Sequence, residues 1–175
     1  MDAITKSIIR ASWAIRIDSP PEGIKVLYNI DPRITPELLN VLSKMGHGDE
    51  IVIADRNFPS YSIGSNCTVN IPIILANLNA AETVETICSL MPLDTFSDYG
   101  AVRMEIDNDP KLKNEVHKQI WRILDKVSAD KEIKFEKSSL ERHVFYTHAA
   151  STFAIVQTNE SRPFGCFILR KGVIF

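Results

Sequence analysis

Met45-Gly46-His47-Gly48-Asp49-Glu50 leads straight into Ile51-Val52-Ile53-Ala54-Asp55. Just before it, Leu38, Leu39, Val41, Leu42 and Met45 recur at helical spacing behind Thr35-Pro36-Glu37. Thr35 reads as an N-cap, Pro36 as the first helical residue and Glu37 as an acid at the positive end of the dipole. Gly46 ends that helix, and the apolar run from Glu50 to Ala54 reads as a strand. A helix that turns through Gly-His-Gly into a buried strand sets an α/β pattern. The two glycines free the backbone for positive φ and leave the imidazole unshielded. A histidine at the mouth of a strand can pass protons to a small molecule; the plainer alternative is a cap, a loop histidine and a turn. Asp55 stands at the carboxyl end of the same strand, where α/β proteins place ligand groups. Its plainer alternative is the acid that opens the turn Asp55-Arg56-Asn57.

Outward from this junction, strands and helices alternate. Residues 67–71 read as a strand, and Asn79-Ala80-Ala81-Glu82 as a capping box that opens a helix through Val84, Ile87 and Leu90. Residues 99–106 form the next strand, with Val102, Met104 and Ile106 alternating. Asp109-Pro110 is expected to start a long helix faced by Leu112, Val116, Ile120, Ile123, Leu124 and Val127. Residues 131–135 read as a short strand. Ser138-Ser139-Leu140-Glu141 reads as a capping box for a helix through Val144, Phe145 and Tyr146. Arg142 and Tyr146, four apart, share one face of that helix. Two closing strands, 152–157 and 165–170, flank a polar loop. The expected fold class is α/β: a single domain of helices layered around a mixed β-sheet, spanning residues 27–175. Residues 1–26 carry Ser19-Pro20-Pro21-Glu22-Gly23 and read as a poorly ordered N-terminal extension.

Composition narrows the function. A formal net charge of -2 and a pI near 6.1 give no reason to expect nucleic acid or an anionic membrane as partner. No apolar run reaches the roughly 18 residues that span a bilayer. Cys67, Cys88 and Cys166 are odd in number and widely spaced, which argues against a disulfide framework or a cysteine zinc site and fits the cytoplasm. His47, His117, His143 and His148 include no H-x-x-x-H pair, so no metal site is expected. G-x-G-x-x-G, P-loop and G-x-S-x-G motifs are all missing. No cofactor is implied.

The stretch from Leu38 through His47 and Asp55 to Phe58-Pro59 resembles the opening of the L-fucose mutarotase and D-ribose pyranase family. Met91-Pro92-Leu93-Asp94-Thr95-Phe96 is similar to a middle segment of its fucose branch. Phe145-Tyr146, Phe153-Ala154-Ile155-Val156 and Lys171-Gly172-Val173 resemble its C-terminal part in the same order. The resemblance implies a ribose pyranase-like fold and a sugar mutarotase that interconverts α and β anomers, with L-fucose as the sugar. It implies His47 and Tyr146 as catalytic residues, and Asp55, Arg142, Phe164 and Cys166 as substrate-binding residues. It further implies a homo-oligomer with sites at subunit interfaces and no cofactor. Where the family carries Tyr-Gly-Asn, this chain reads Phe164-Gly165-Cys166. Phe164 keeps a ring without the hydroxyl, and Cys166 replaces an amide with a weak donor. A sugar-binding relative with lost or altered catalysis and a ribose pyranase are the alternatives.

Overall fold

The computed structural model describes residues 27–174, so the expected extension at 1–26 lies outside the described residues. The unit that begins at Arg33 is a six-stranded mixed sheet with helices on both faces. Its first helix, α1 (Pro36–Lys44), is capped as expected: Thr35 Oγ1 accepts from Leu38 N at 3.3 Å. Strand β1 (Glu50–Ala54) follows, with all five residues buried. Next come α2 (Ser60–Gly64), β2 (Ile73–Leu75), α3 (Ala80–Cys88), β3 (Ala101–Met104) and α4 (Glu115–Asp130). The chain ends with β4 (Lys137–Leu140), α5 (Arg142–Ala149), β5 (Ala154–Thr158) and β6 (Phe167–Arg170).

The strand order is β2-β5-β1-β6-β3-β4. Only β6 runs against its neighbours, pairing antiparallel with β1 and β3. The expected mixed α/β sheet is therefore present. Along β1 the side chains alternate, as a pleated strand requires. Ile51 and Ile53 join Leu38 and Val41 of α1, Val84 and Ile87 of α3, and Ile120 and Leu124 of α4. Val52 and Ala54 face Phe145 and Ala149 of α5, together with Phe58. Both faces of the sheet are covered, which explains why its central strand is apolar from Ile51 to Ala54.

Four local expectations are corrected. Residues 67–71 are not a strand; the ladder starts at Ile73. Thr68 and Val69 do bond back to Thr152 and Phe153, but Pro72 has no N–H with which to continue. Helix α4 starts at Glu115 under an Asn114 cap, not at Asp109-Pro110. Asp107 and Asn108 take left-handed φ of 46° and 62°, and Asp109 Oδ1 accepts from Lys111 N in a turn of its own. Leu112 is consequently exposed. Residues 131–135 form no strand, and Ser138 to Leu140 belong to β4, in register with Val102 to Met104 of β3. A strand edge waiting to be paired outweighs the local capping signal. Glu141 becomes the cap itself, accepting from His143 N at 2.7 Å and Val144 N at 3.1 Å.

Candidate functional site

Five of the six expected site residues gather at the carboxyl end of β1. Asp55 leaves β1 and is buried; its Oδ1 accepts from Asn57 N at 2.9 Å, closing the turn that the sequence suggests. Its backbone is tied on both sides. Its N–H donates to Cys166 Sγ at 3.4 Å, and its carbonyl accepts from Gln157 Nε2 at 2.6 Å. Ser60 Oγ donates in turn to Gln157 Oε1. Arg142 opens α5 on the exposed side, and Tyr146 follows one turn later, half-buried, with its ring edge-on to Phe58 at 5.2 Å. Burial, and then the charges of Cys166 and Asp55, push the Tyr146 phenol above its ordinary range despite Arg142. Its hydroxyl keeps its proton at neutral pH and is a donor.

Phe164 and Cys166 complete this end, and they differ in what they offer. Phe164 is half-buried and, like Tyr146, packs against the α5-side core. Its backbone is left-handed, with φ 59°. Cys166 is 1% exposed, and burial raises its thiol well above the usual range. It presents its sulfur to the Asp55 amide. Gly165 between them has no room for a side chain, since a Cβ would stand 2.7 Å from Glu160 Cγ.

His47 lies elsewhere. It sits at the amino end of β1, between Gly46 and Gly48, and Gly48 takes the positive φ (85°) that its position allows. Its side chain is 49% exposed and rests on a fully buried Asp94, with Nε2 3.1 Å from Oδ1. Asp94 is fixed from three sides. Its own N–H donates to Arg170 O at 3.0 Å, and its carboxylate accepts from Phe96 N at 3.2 Å and from Ser97 Oγ. Burial alone would raise its pKa; the bonds from Ser97, Phe96 N and His47 outweigh that and lower it. An ionised Asp94 only accepts, so Nε2 of His47 is the nitrogen that donates to it. Sequence reading quotes Asp94 within a motif but gives it no role; its link to His47 depends on the end of β6, far along the chain.

The same end holds a second set of polar residues that sequence reading missed. Glu50, 8% exposed, binds His148 Nε2 at 2.5 Å through Oε2. Its Oε1 accepts from Tyr99 OH at 2.8 Å and Arg170 Nε at 2.9 Å. Arg170 also stacks over the Tyr99 ring, 4.3 Å from its centroid. The cluster ties α5 to β1 and β6. The five residues of β1 separate the two ends, at about 3.3 Å per residue. Within one chain, His47 and Asp55 cannot touch the same monosaccharide. A cavity of about 420 Å³ beside the Asp55 turn is lined by Arg56, Phe58, Tyr61 and Asn159, and by none of the six expected residues.

Among the described residues, no group of three His, Cys, Asp or Glu side chains converges as metal ligands, and no helix is long and apolar enough to cross a membrane. Residues 28–174 match the RbsD / FucU transport protein family. The chain belongs to that family. Within it, the chain is 37% identical to the fucose mutarotase of Danio rerio, over 85% of this chain and 95% of that one. Among solved structures, it resembles the fucose mutarotase from Streptococcus pneumoniae in complex with L-fucose. That likeness has a TM-score of 0.71 at 34% identity and covers 85% of this chain and 100% of the other. Bacillus subtilis RbsD complexed with D-ribose matches at a TM-score of 0.61 and 19% identity, covering 81% and 95%, which shows the shared fold. The expected family and its ribose pyranase-like fold are thus both present.

Proposed function

We propose that this protein is a mutarotase that interconverts the α and β anomers of L-fucose. The observation that carries the reading is the presence of two chemically complementary sets of side chains, one at each end of β1. One is a half-exposed histidine backed by Asp94. The other is the cluster at the carboxyl end of β1, with a hydroxyl donor (Tyr146), a carboxylate (Asp55), a guanidinium (Arg142) and an aromatic ring (Phe164). Anomer exchange requires removal of the anomeric hydroxyl proton and delivery of one to the ring oxygen. The ring opens to the aldehyde, the C1–C2 bond turns, and reclosure reverses both transfers. His47 takes and returns the first proton; Tyr146 gives and recovers the second. Asp55 and Arg142 hold sugar hydroxyls, Phe164 covers an apolar sugar face, and Cys166 acts through the Asp55 amide. Positioned acid–base groups contribute about 10²–10⁴-fold, enough for a reaction that already proceeds in water.

The separation of the two sets favours assembly between copies. His47 of one copy would meet Asp55, Arg142 and Tyr146 of another, a heterologous contact of the kind that closes into rings. Residues 27–175 form the functional unit, and three free, buried cysteines fit a cytoplasmic setting. The test is saturation transfer between the α and β anomeric protons of L-fucose, with D-ribose in parallel. The proposal expects faster fucose exchange that disappears in His47→Ala. Saturable fucose binding without exchange would favour the sugar-binding alternative, for which the missing hydroxyl of Phe164 speaks. Exchange of ribose alone would favour a pyranase.

A further inference from the structure

Helix α4 contributes no expected site residue, yet its first turn grips the backbone of the Phe164 loop. Asn114, the N-cap, accepts from His117 N at 3.1 Å and donates from Nδ2 to Pro163 O at 2.7 Å. His117 Nε2 lies 2.8 Å from Phe164 O. A carbonyl only accepts, so that nitrogen is the protonated one. The ring is completely buried, edge-on to Phe167 at 5.7 Å, and its Nδ1 has no hydrogen-bond partner. Burial lowers its pKa to about 4, so it stays neutral and remains a donor.

As a packing residue, His117 is a poor choice. Burying an unpaired ring nitrogen costs more than one neutral hydrogen bond returns, and a leucine or phenylalanine would fill the space without that penalty. What the histidine supplies is a fixed N–H aimed at one carbonyl. That carbonyl belongs to a non-glycine residue held in the left-handed region, φ 59°, a conformation that persists only where the surroundings impose it. Gly165 next to it is packed closely, since an added Cβ would stand 2.7 Å from Glu160 Cγ and 3.1 Å from Arg162 O. With Asn114 on the preceding carbonyl, α4 sets where the Phe164 ring points.

We propose that His117, supported by Asn114, is a positioning residue for substrate recognition: it holds the strained Phe164 backbone so that the ring meets the sugar. The inference rests on the mutarotase reading and deepens it. The test is a double-mutant cycle on L-fucose anomer exchange with His117→Leu, Phe164→Ala and the double variant, each checked for wild-type melting behaviour. His117→Leu is expected to raise KM about 5- to 20-fold with kcat within about 2-fold. Added to Phe164→Ala, it should change KM by less than 2-fold, because the ring it positions is gone. His117→Gln, which keeps an N–H donor, should recover much of the KM lost in His117→Leu. If wild type shows no exchange, the mutarotase reading fails. If wild type is active but the two substitutions multiply independently, or His117→Gln recovers nothing, the positioning role is overturned while the mutarotase reading stands. If His117→Leu does not fold, amide hydrogen exchange at Phe164 and Gly165 in His117→Gln decides: faster exchange there alone supports the clamp, and unchanged exchange removes it.

Discussion

The two ends of β1 solve different problems. At the carboxyl end the backbone is tied down: that of Asp55 is bonded on both sides, and Phe164 O is held from α4. At the amino end the histidine is half exposed between two glycines, on a loop bonded to Asp49 and Lys171, with a fixed aspartate behind it. A sugar with several hydroxyls is recognised by fixed partners, since each misplaced partner leaves a group unpaired. A proton carrier that must reach a ligand held by other residues needs one firm hinge and open space in front. On the mutarotase reading proposed above, the histidine base and the sugar contacts lie at opposite ends of one strand.

The largest expected effect falls on the exposed histidine. His47→Ala should lower fucose anomer exchange by about 10²–10⁴-fold while leaving the melting temperature nearly unchanged, as its exposed side chain buries little. A large loss of stability would show that the loop is structural. The Glu50–His148 pair tests whether the amino end also anchors α5. Removing one partner of a buried pair typically costs about 3–5 kcal/mol, so Glu50→Gln should lower the melting temperature clearly. Burial raises the Glu50 pKa, but bonds from His148 and Tyr99 together with the charges of His148 and Arg170 lower it overall; Glu50 bonding raises that of His148. Glu50's contribution is present above its unfolded pKa and lost as pH falls through the depressed folded value. That of His148 is present below its unfolded pKa and lost as pH rises through the raised folded value. The stability gap between wild type and Glu50→Gln should therefore be widest in between and narrow on both sides; a flat gap would count against the pair.

Asp94→Asn sharpens the comparison further. Losing the carboxylate that fixes the His47 tautomer should reduce kcat by about 10- to 100-fold, with KM little changed because the binding half is untouched. A KM effect instead would place Asp94 in recognition. The smallest effect is at the rigid end. Phe164→Tyr restores a hydroxyl at the sugar-facing ring, and one added hydrogen bond of about 1 kcal/mol should lower KM for L-fucose a few-fold. No change would mean that the ring edge does not face a hydroxyl.

How far the residues themselves foretold this depends on where their partners sit. Thr35-Pro36, the Gly-His-Gly turn and the Asn79/Glu82 capping box are legible because cap, spacing and burial agree within a few residues. The start of α4 and the strand β4 are not, because Asp109-Pro110 and Ser138-x-x-Glu141 carry helix signals that a turn of left-handed residues and the free edge of β3 override. All six candidate residues are legible as types. Their grouping is not: His47 and Asp55 are close in sequence, but a fully extended strand runs between them. Asp94 and His117 were beyond reach, since each acts on a residue 47 positions away.

The most direct test of a site shared between copies is complementation. His47→Ala and Asp55→Ala would each be inactive alone. Co-expressed in equal amounts, random assembly leaves about a quarter of the interfaces with both intact residues, one from each copy. The account predicts that L-fucose anomer exchange returns to about a quarter of the wild-type rate in the mixed protein. Exchange that stays at the level of the single variants would contradict it.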